Sequence, residues 1–360
     1  MVDFFFHLIC IILGAGLVAW TLLSAIRFVV LPRAENVLLA RWIFRISNQL
    51  FQSFGFRSKT YAQRDKRMAL LAPVTLITIP ILWQILVLMG YALIFWGMGF
   101  GTLKQSIVLS GSSLLTLGTI PFPEFGMTLI IFSEAVIGLI LTALLIGYLP
   151  TMYSAFSQRE TIVSLMEVYA GSPPSVGDMV ERLQLIRGLD NLHELWETCQ
   201  LWFVQLEETH TSLGPLTFFR SPKPDRSWIT TAGVILDSAS FVVSTVDMPR
   251  DPQAQLCIRS GYIALRSVAD FLNIDHNEDP HYPVDPISIG QDEFNEVYDQ
   301  LLAIGVPLKA DREQAWLDFA GWRVNYDRVL LRLAALTMAP YATWSSDRSM
   351  PIIRRKGKII

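Results

Sequence analysis

Ser110-Gly111-Ser112-Ser113-Leu114-Leu115-Thr116-Leu117-Gly118-Thr119-Ile120-Pro121 lies between two long hydrophobic segments, and that placement decides the fold. On its N-terminal side, Met68 to Leu103 carries no Asp, Glu, Lys or Arg, and Leu70 to Phe95 is the part expected to span a membrane. On its C-terminal side, Phe125 to Ser157 carries only Glu134. Farther upstream, Phe4 to Ile26 is also free of these charges. At about 1.5 Å per helical residue, each of these three segments can cross a hydrocarbon core of about 30 Å. Thr102 to Leu115 is too short to cross. It suits a re-entrant half-helix, followed by irregular backbone from Thr116 to Glu124. Irregular backbone at membrane depth must be buried in protein or line a wet cavity.

Composition agrees with a chain that is part membrane and part globular. Of its 360 residues, 52% are hydrophobic, and the mean hydropathy is +0.39. A net charge of −3 gives no reason to expect a nucleic-acid partner. Cys10, Cys199 and Cys257 are scattered, which argues against a disulfide framework or a zinc site. The N-terminal apolar run is too long for a cleaved signal and lacks its basic start, so it is expected to stay as a helix. No phosphate-cradling glycine loop, HExxH run or Ser/His/Asp motif is visible, and no enzyme is expected.

Orientation follows from the basic residues. Between Arg27 and Arg67 nine Arg or Lys residues face only Glu35 and Asp65, which predicts a cytoplasmic segment. The N-terminus is then outside, the irregular loop opens outward, and everything after Ser157 is cytoplasmic. Within the basic segment Arg41, Arg45, Asn48 and Gln52 recur at helical spacing, with Leu39, Ile43, Ile46, Leu50 and Phe54 opposite. That pattern describes an amphipathic helix, either on the inner membrane surface or packed on the cytoplasmic domain.

Two stretches resemble the bacterial potassium-channel-like membrane proteins of the ion-channel-2 type. One is Ser110 to Gly118. The other is Glu134-Ala135-Val136-Ile137-Gly138, continuing through Ile146 to Tyr153 and then Phe156 to Glu160. Arg159-Glu160 followed by Ala170 to Pro174 resembles the start of the helical cytoplasmic domain that some members carry. The resemblance implies a homotetramer around one pore in the bacterial inner membrane, with potassium or sodium as permeant ions and no other cofactor. It places Thr116, Leu117, Gly118, Thr119 and Ile120 along the ion path, with Ser113, Glu134 and Gly138 supporting the pore and Glu124 at its mouth.

The outer part of the loop departs from that family. Thr119, Ile120 and Pro121 stand where an aromatic residue, a second glycine and an aspartate are expected. Ile120 resists the backbone conformation of the second glycine, and Pro121 biases it toward extended geometry. Fewer carbonyl rings should remain, and discrimination between potassium and sodium should weaken. A non-conducting scaffold or sensor that keeps the pore fold is the alternative expectation. Glu134 is expected to brace the half-helix through hydroxyls between Ser110 and Thr116, and Gly138 and Gly147 to allow close packing or a hinge.

The expected fold class is all-α: three transmembrane helices with a re-entrant pore helix and filter-like loop, plus an all-helical cytoplasmic domain. The expected organisation is a first span in 1–32, a basic linker in 33–67, a pore domain in 68–158, a helical domain in 159–345 and a basic tail in 346–360. In the helical domain, Ser175 to Asp178 reads as a capping box and Gly188 as a stop. Further helices are expected over Asn191 to Thr209, Ile229 to Val246, Pro252 to Asp270 and Gln291 to Ile304, and a last long one from Asp311 to before Pro340. Ile229 to Val246 is apolar enough to resemble a fourth span, but its Ser, Thr and central Asp237 point to a buried core helix. Asp237 needs a partner, and Arg259, Arg266 and Arg323 are the candidates, either as a buried pair or as a pocket for an acidic ligand. Trp316, Phe319, Trp322 and Tyr326 are expected in the core. The loop Asp275 to Gly290 holds His276 and His281, yet no third anchor fixes a metal, and none is expected.

Overall fold

The structure is a computed structural model that describes residues 2–29, 42, 46, 61–118, 125–186 and 188–348. Those residues are helical or irregular; among them there is no strand, only an isolated bridge between Val246 and Leu308. The chain divides into two compact units, one from Met1–Leu50 with Leu71–Tyr153, the other from Phe51–Leu70 with Ser154–Ile360. Most of the amphipathic helix expected around residues 39–54, and residues 349–360 of the basic tail, lie outside the described residues; Trp42 and Ile46 are helical.

In the first unit, α1 (Val2–Val29) packs along α3 (Leu71–Gly97). Glycines permit the close approach. A Cβ on Gly14 would stand 2.4 Å from the Gly90 carbonyl oxygen, and one on Gly97 would stand 2.7 Å from the His7 carbonyl oxygen. Small residues at such a seam let two helix backbones approach closely. The short helix α4 (Leu103–Leu114) follows, and α5 (Phe125–Ala170) starts in this unit and continues as one helix into the second. Trp83, Phe95, Leu109, Leu114, Ile131 and Leu141 belong to a common buried cluster.

The second unit contains α2 (Tyr61–Met68), the end of α5, and α6 (Val176–Ile186), α7 (His193–Ser212), α8 (Trp228–Thr245), α9 (Pro252–Phe271), α10 (Gln291–Ala303), α11 (Arg312–Arg323) and α12 (Asp327–Thr337). The caps follow the sequence. The Ser175 hydroxyl accepts from the Asp178 N–H, the Asp251 carboxylate from the Gln253 N–H, and the Asp311 carboxylate from the Gln314 N–H. Gly188 and Gly305 take φ +70° and +82° beyond helix ends. Asp65 of α2 is buried and pairs with Arg220 at 2.5 Å, so this end of the basic segment belongs to the helical unit.

Among the described residues, four helices are long and apolar enough to cross a membrane: Phe4–Val29, Asp65–Gly97, Phe125–Ala170 and Trp228–Thr245. They differ in cover. Only 33%, 44% and 22% of the apolar windows of the first three are buried, against 94% for the last. Helix α8 is therefore the central core helix of the second unit, enclosed by α9, α11 and α12.

One expected element is two. The last long helix breaks after Arg323. The Asn325 side-chain amide donates to the carbonyls of Gly321 and Trp322, at 3.0 and 3.2 Å, and takes over helix acceptors there. Asp327 is meanwhile held by Ser288, whose N–H and hydroxyl donate to it at 3.1 and 2.7 Å.

Candidate functional site

The short helix is built by its first and last residues. Thr102 caps its start, and the Gln105 side chain accepts from the Thr102 N–H at 2.8 Å, forming a capping box. Its serines tie it to both neighbours. Ser110 Oγ is 2.8 Å from the Leu88 carbonyl of α3 and hydrogen-bonds Glu134 Oε1 of α5. Ser113 Oγ donates to the Ile131 carbonyl of α5 at 2.8 Å. Glu134 is fully buried. The expected brace is thus Ser110, with Ser113 one turn on. The Gly138 expectation resolves to close packing, since a Cβ there would stand 2.4 Å from the Leu114 carbonyl oxygen. Gly147 faces open space.

The helix ends in a tight reversal. The Thr116 N–H donates to the Ser113 carbonyl at 3.0 Å and the Leu117 N–H to the Ser112 carbonyl at 2.9 Å. That bond pair places Thr116 at the left-handed position usually held by glycine. Its φ is +54°, unusual for a β-branched residue, and Gly118 follows at φ +100°. Leu115 to Gly118 are exposed, Leu117 by 74%. Among the described residues no hydrogen bond claims the carbonyls of Thr116, Leu117 or Gly118. Thr119, Ile120, Pro121 and Glu124 lie outside the described residues.

The second cluster resolves the question of the Asp237 partner. Arg323 meets Asp237 through Nη1, Asp327 through Nε at 2.8 Å, and the Trp344 carbonyl through Nη2 at 2.6 Å. The Tyr326 hydroxyl donates to Asp237 at 2.8 Å. All four side chains are buried. Burial disfavours the guanidinium charge, but Asp237 and Asp327 outweigh it and hold the group above its ordinary range. Every polar arm of Arg323 is occupied within the fold, so this cluster is a packing knot and not a clamp for an acidic ligand. Arg266 instead donates to Asn325 and the Glu278 carbonyl, and Arg259 is exposed. Asp327 and the break beside it escaped the sequence reading; the i, i+4 spacing of Arg323 and Asp327 was the available signal. Of the aromatic set, Trp316, Phe319 and Tyr326 are buried, while Trp322 is half-buried.

A third buried group surrounds Arg159. Its guanidinium holds Glu160 Oε1 at 2.7 Å and the carbonyls of Leu216 and Phe219 at 2.9 and 2.8 Å. His210 lies close by, fully buried, its ring 4.7 Å from that of Trp228. Burial, and then the Arg159 charge, push the His210 imidazole well below its ordinary range. The unfolded chain binds a proton here below about pH 6.5, and the folded chain does not. Stability of the helical unit should therefore fall as pH drops through about 6.5, by up to about 1.4 kcal/mol per pH unit. Thermal midpoints of parent and His210→Gln between pH 7.5 and 5.5 check this: the parent should lose more, and equal losses would refute the assignment.

In the Asp275 to Gly290 loop, His276 Nε2 is 3.2 Å from Asp270 and His281 is exposed. Among the described residues no three His, Cys, Asp or Glu side chains gather as metal ligands. No family model, curated protein or solved structure matches the chain.

Proposed function

We propose that the chain is a subunit of a homotetrameric, weakly selective cation channel of the pore-loop type, assembled or gated by its helical unit. The observation that carries this reading is the capped twelve-residue helix between two long apolar helices, fixed by Ser110 to the buried Glu134 and ending in exposed carbonyls at Thr116 to Gly118 that no hydrogen bond among the described residues claims. Rings of such carbonyls, with the Thr116 hydroxyl, can replace an ion's water shell when four copies meet. The uncovered face of α5, where Phe132, Val136, Leu139 and Ile146 are exposed, supplies apolar surface for lipid or neighbouring subunits. Thr119, Ile120 and Pro121 support only weak discrimination between potassium and sodium.

These same three residues favour a second reading, a membrane scaffold or sensor that keeps the pore architecture without conducting. Planar-bilayer recordings of the purified chain, with potassium on one side and sodium on the other, separate the two. A single-channel current reversing near zero is expected. Reversal near the potassium potential would refute weak selectivity. Silence from an intact tetramer, with current restored by the combined Thr119→Tyr, Ile120→Gly and Pro121→Asp substitutions, would establish the scaffold.

A further inference from the structure

The helical unit contains a cavity of about 990 Å³, at the upper end of the size range of small-molecule sites. It opens where α7 and α9 begin and α8 ends, beside α11. Trp196, Trp322, Met248 and Leu317 supply apolar wall, and Trp322 and Leu317 are accessible there. Ser244 lines the cavity with a buried hydroxyl that has no hydrogen-bond partner among the described residues. Such a group carries a desolvation cost unless something else occupies the site.

The charges around the cavity are unevenly engaged. Asp251 is committed, capping α9 through the Gln253 N–H and meeting His193 at 3.1 Å; Asp318, exposed on α11, accepts only from the neutral Gln314 amide at 2.8 Å. The two cations are bound only to neutral groups. Arg250 donates to the Gln255 amide at 2.8 Å. Lys309 donates to the carbonyls of Val243 and Ser244 at 3.0 and 2.9 Å, neutralising the negative end of α8 and keeping a third N–H. Helix α7 begins at the wall without a side-chain cap, which adds a positive helix end.

We propose that this cavity binds an amphipathic organic anion, a flat apolar body against Trp322 with one carboxylate directed at Arg250 and Lys309. The site is independent of whether the membrane unit conducts. Equilibrium dialysis of 2-naphthoate against the detergent-solubilised full chain tests it, with empty micelles balanced across the membrane and 2-naphthamide as the uncharged control. One saturable site per chain is expected, with the acid bound at least about tenfold tighter than the amide. Arg250→Gln, at an exposed position, should weaken the acid about five- to tenfold and leave the amide unchanged. Leu317→Glu, on the exposed rim, should weaken the acid by repulsion without touching either cation. Absence of saturable binding, equal affinity for acid and amide, or unchanged acid affinity in both variants would overturn the proposal.

Discussion

Arg323→Met is expected to lower the thermal midpoint of the helical unit by roughly 6–20 °C, the largest effect of any single substitution in that unit. Arg323 is fully buried and its guanidinium joins α8, α11, α12 and the Trp344 segment. Methionine has similar reach and no charge, so cavity formation is not the main loss. What remains is Asp237 and Asp327 at 1% exposure each, with the cation between them gone. Removing one partner of a buried pair costs about 3–5 kcal/mol, because the other charge stays behind. Asp327 keeps its Ser288 donors and Asp237 keeps Tyr326, which sets the loss within that range and not above it. Combining Arg323→Met with Asp237→Leu and Asp327→Asn should recover much of the deficit. Near-UV circular dichroism on heating reads both variants. A drop of less than about 3 °C for the single variant would show that the knot is not a main support.

Gly138→Val should prevent the first unit from assembling around its short helix. The added Cβ would lie 2.4 Å from the Leu114 carbonyl oxygen and 3.3 Å from its carbon. Those are backbone atoms at the end of α4, so no side-chain rotation relieves the clash. Overpacking of this kind costs about 1–3 kcal/mol where neighbours can yield, and here the backbone that must yield carries the turn at Thr116. Gly147→Ala is the matched control on the same helix, because nothing stands within 4 Å of its Cβ position. Monodisperse yield in mild detergent should collapse for Gly138→Val and hold for Gly147→Ala. Equal yields would mean that α4 and α5 do not meet as closely as described.

The parts legible in the sequence are those fixed by local length and by the cost of burying charge. The half-helix between Thr102 and Leu115 follows from an apolar stretch too short to cross, and it forms as Leu103–Leu114. Glu134 in an apolar helix demands a donor, and serines lie nearby in sequence to supply one. For Asp237 the same demand leaves three arginines, and only the tertiary fold selects Arg323. The break between α11 and α12 has no proline, and no glycine between Arg323 and Asp327, to announce it; a side-chain amide and a distant serine make it. The cavity is hidden for a related reason. Its wall is drawn from segments between Leu189 and Asn325, none of which is unusual by itself.

Asp237 also bears on how the chain is made. A ribosome releases α8 before α11 exists, so for a time the helix has no Arg323 to meet. With a mean hydropathy of 1.2 it is, by length and composition, apolar enough to cross a membrane. A carboxylate near the middle of such a segment opposes insertion by about 2.5–3.5 kcal/mol. The residue that anchors the finished core is thereby also one that makes insertion of the nascent segment into a bilayer costly, before tertiary structure is there to bury it.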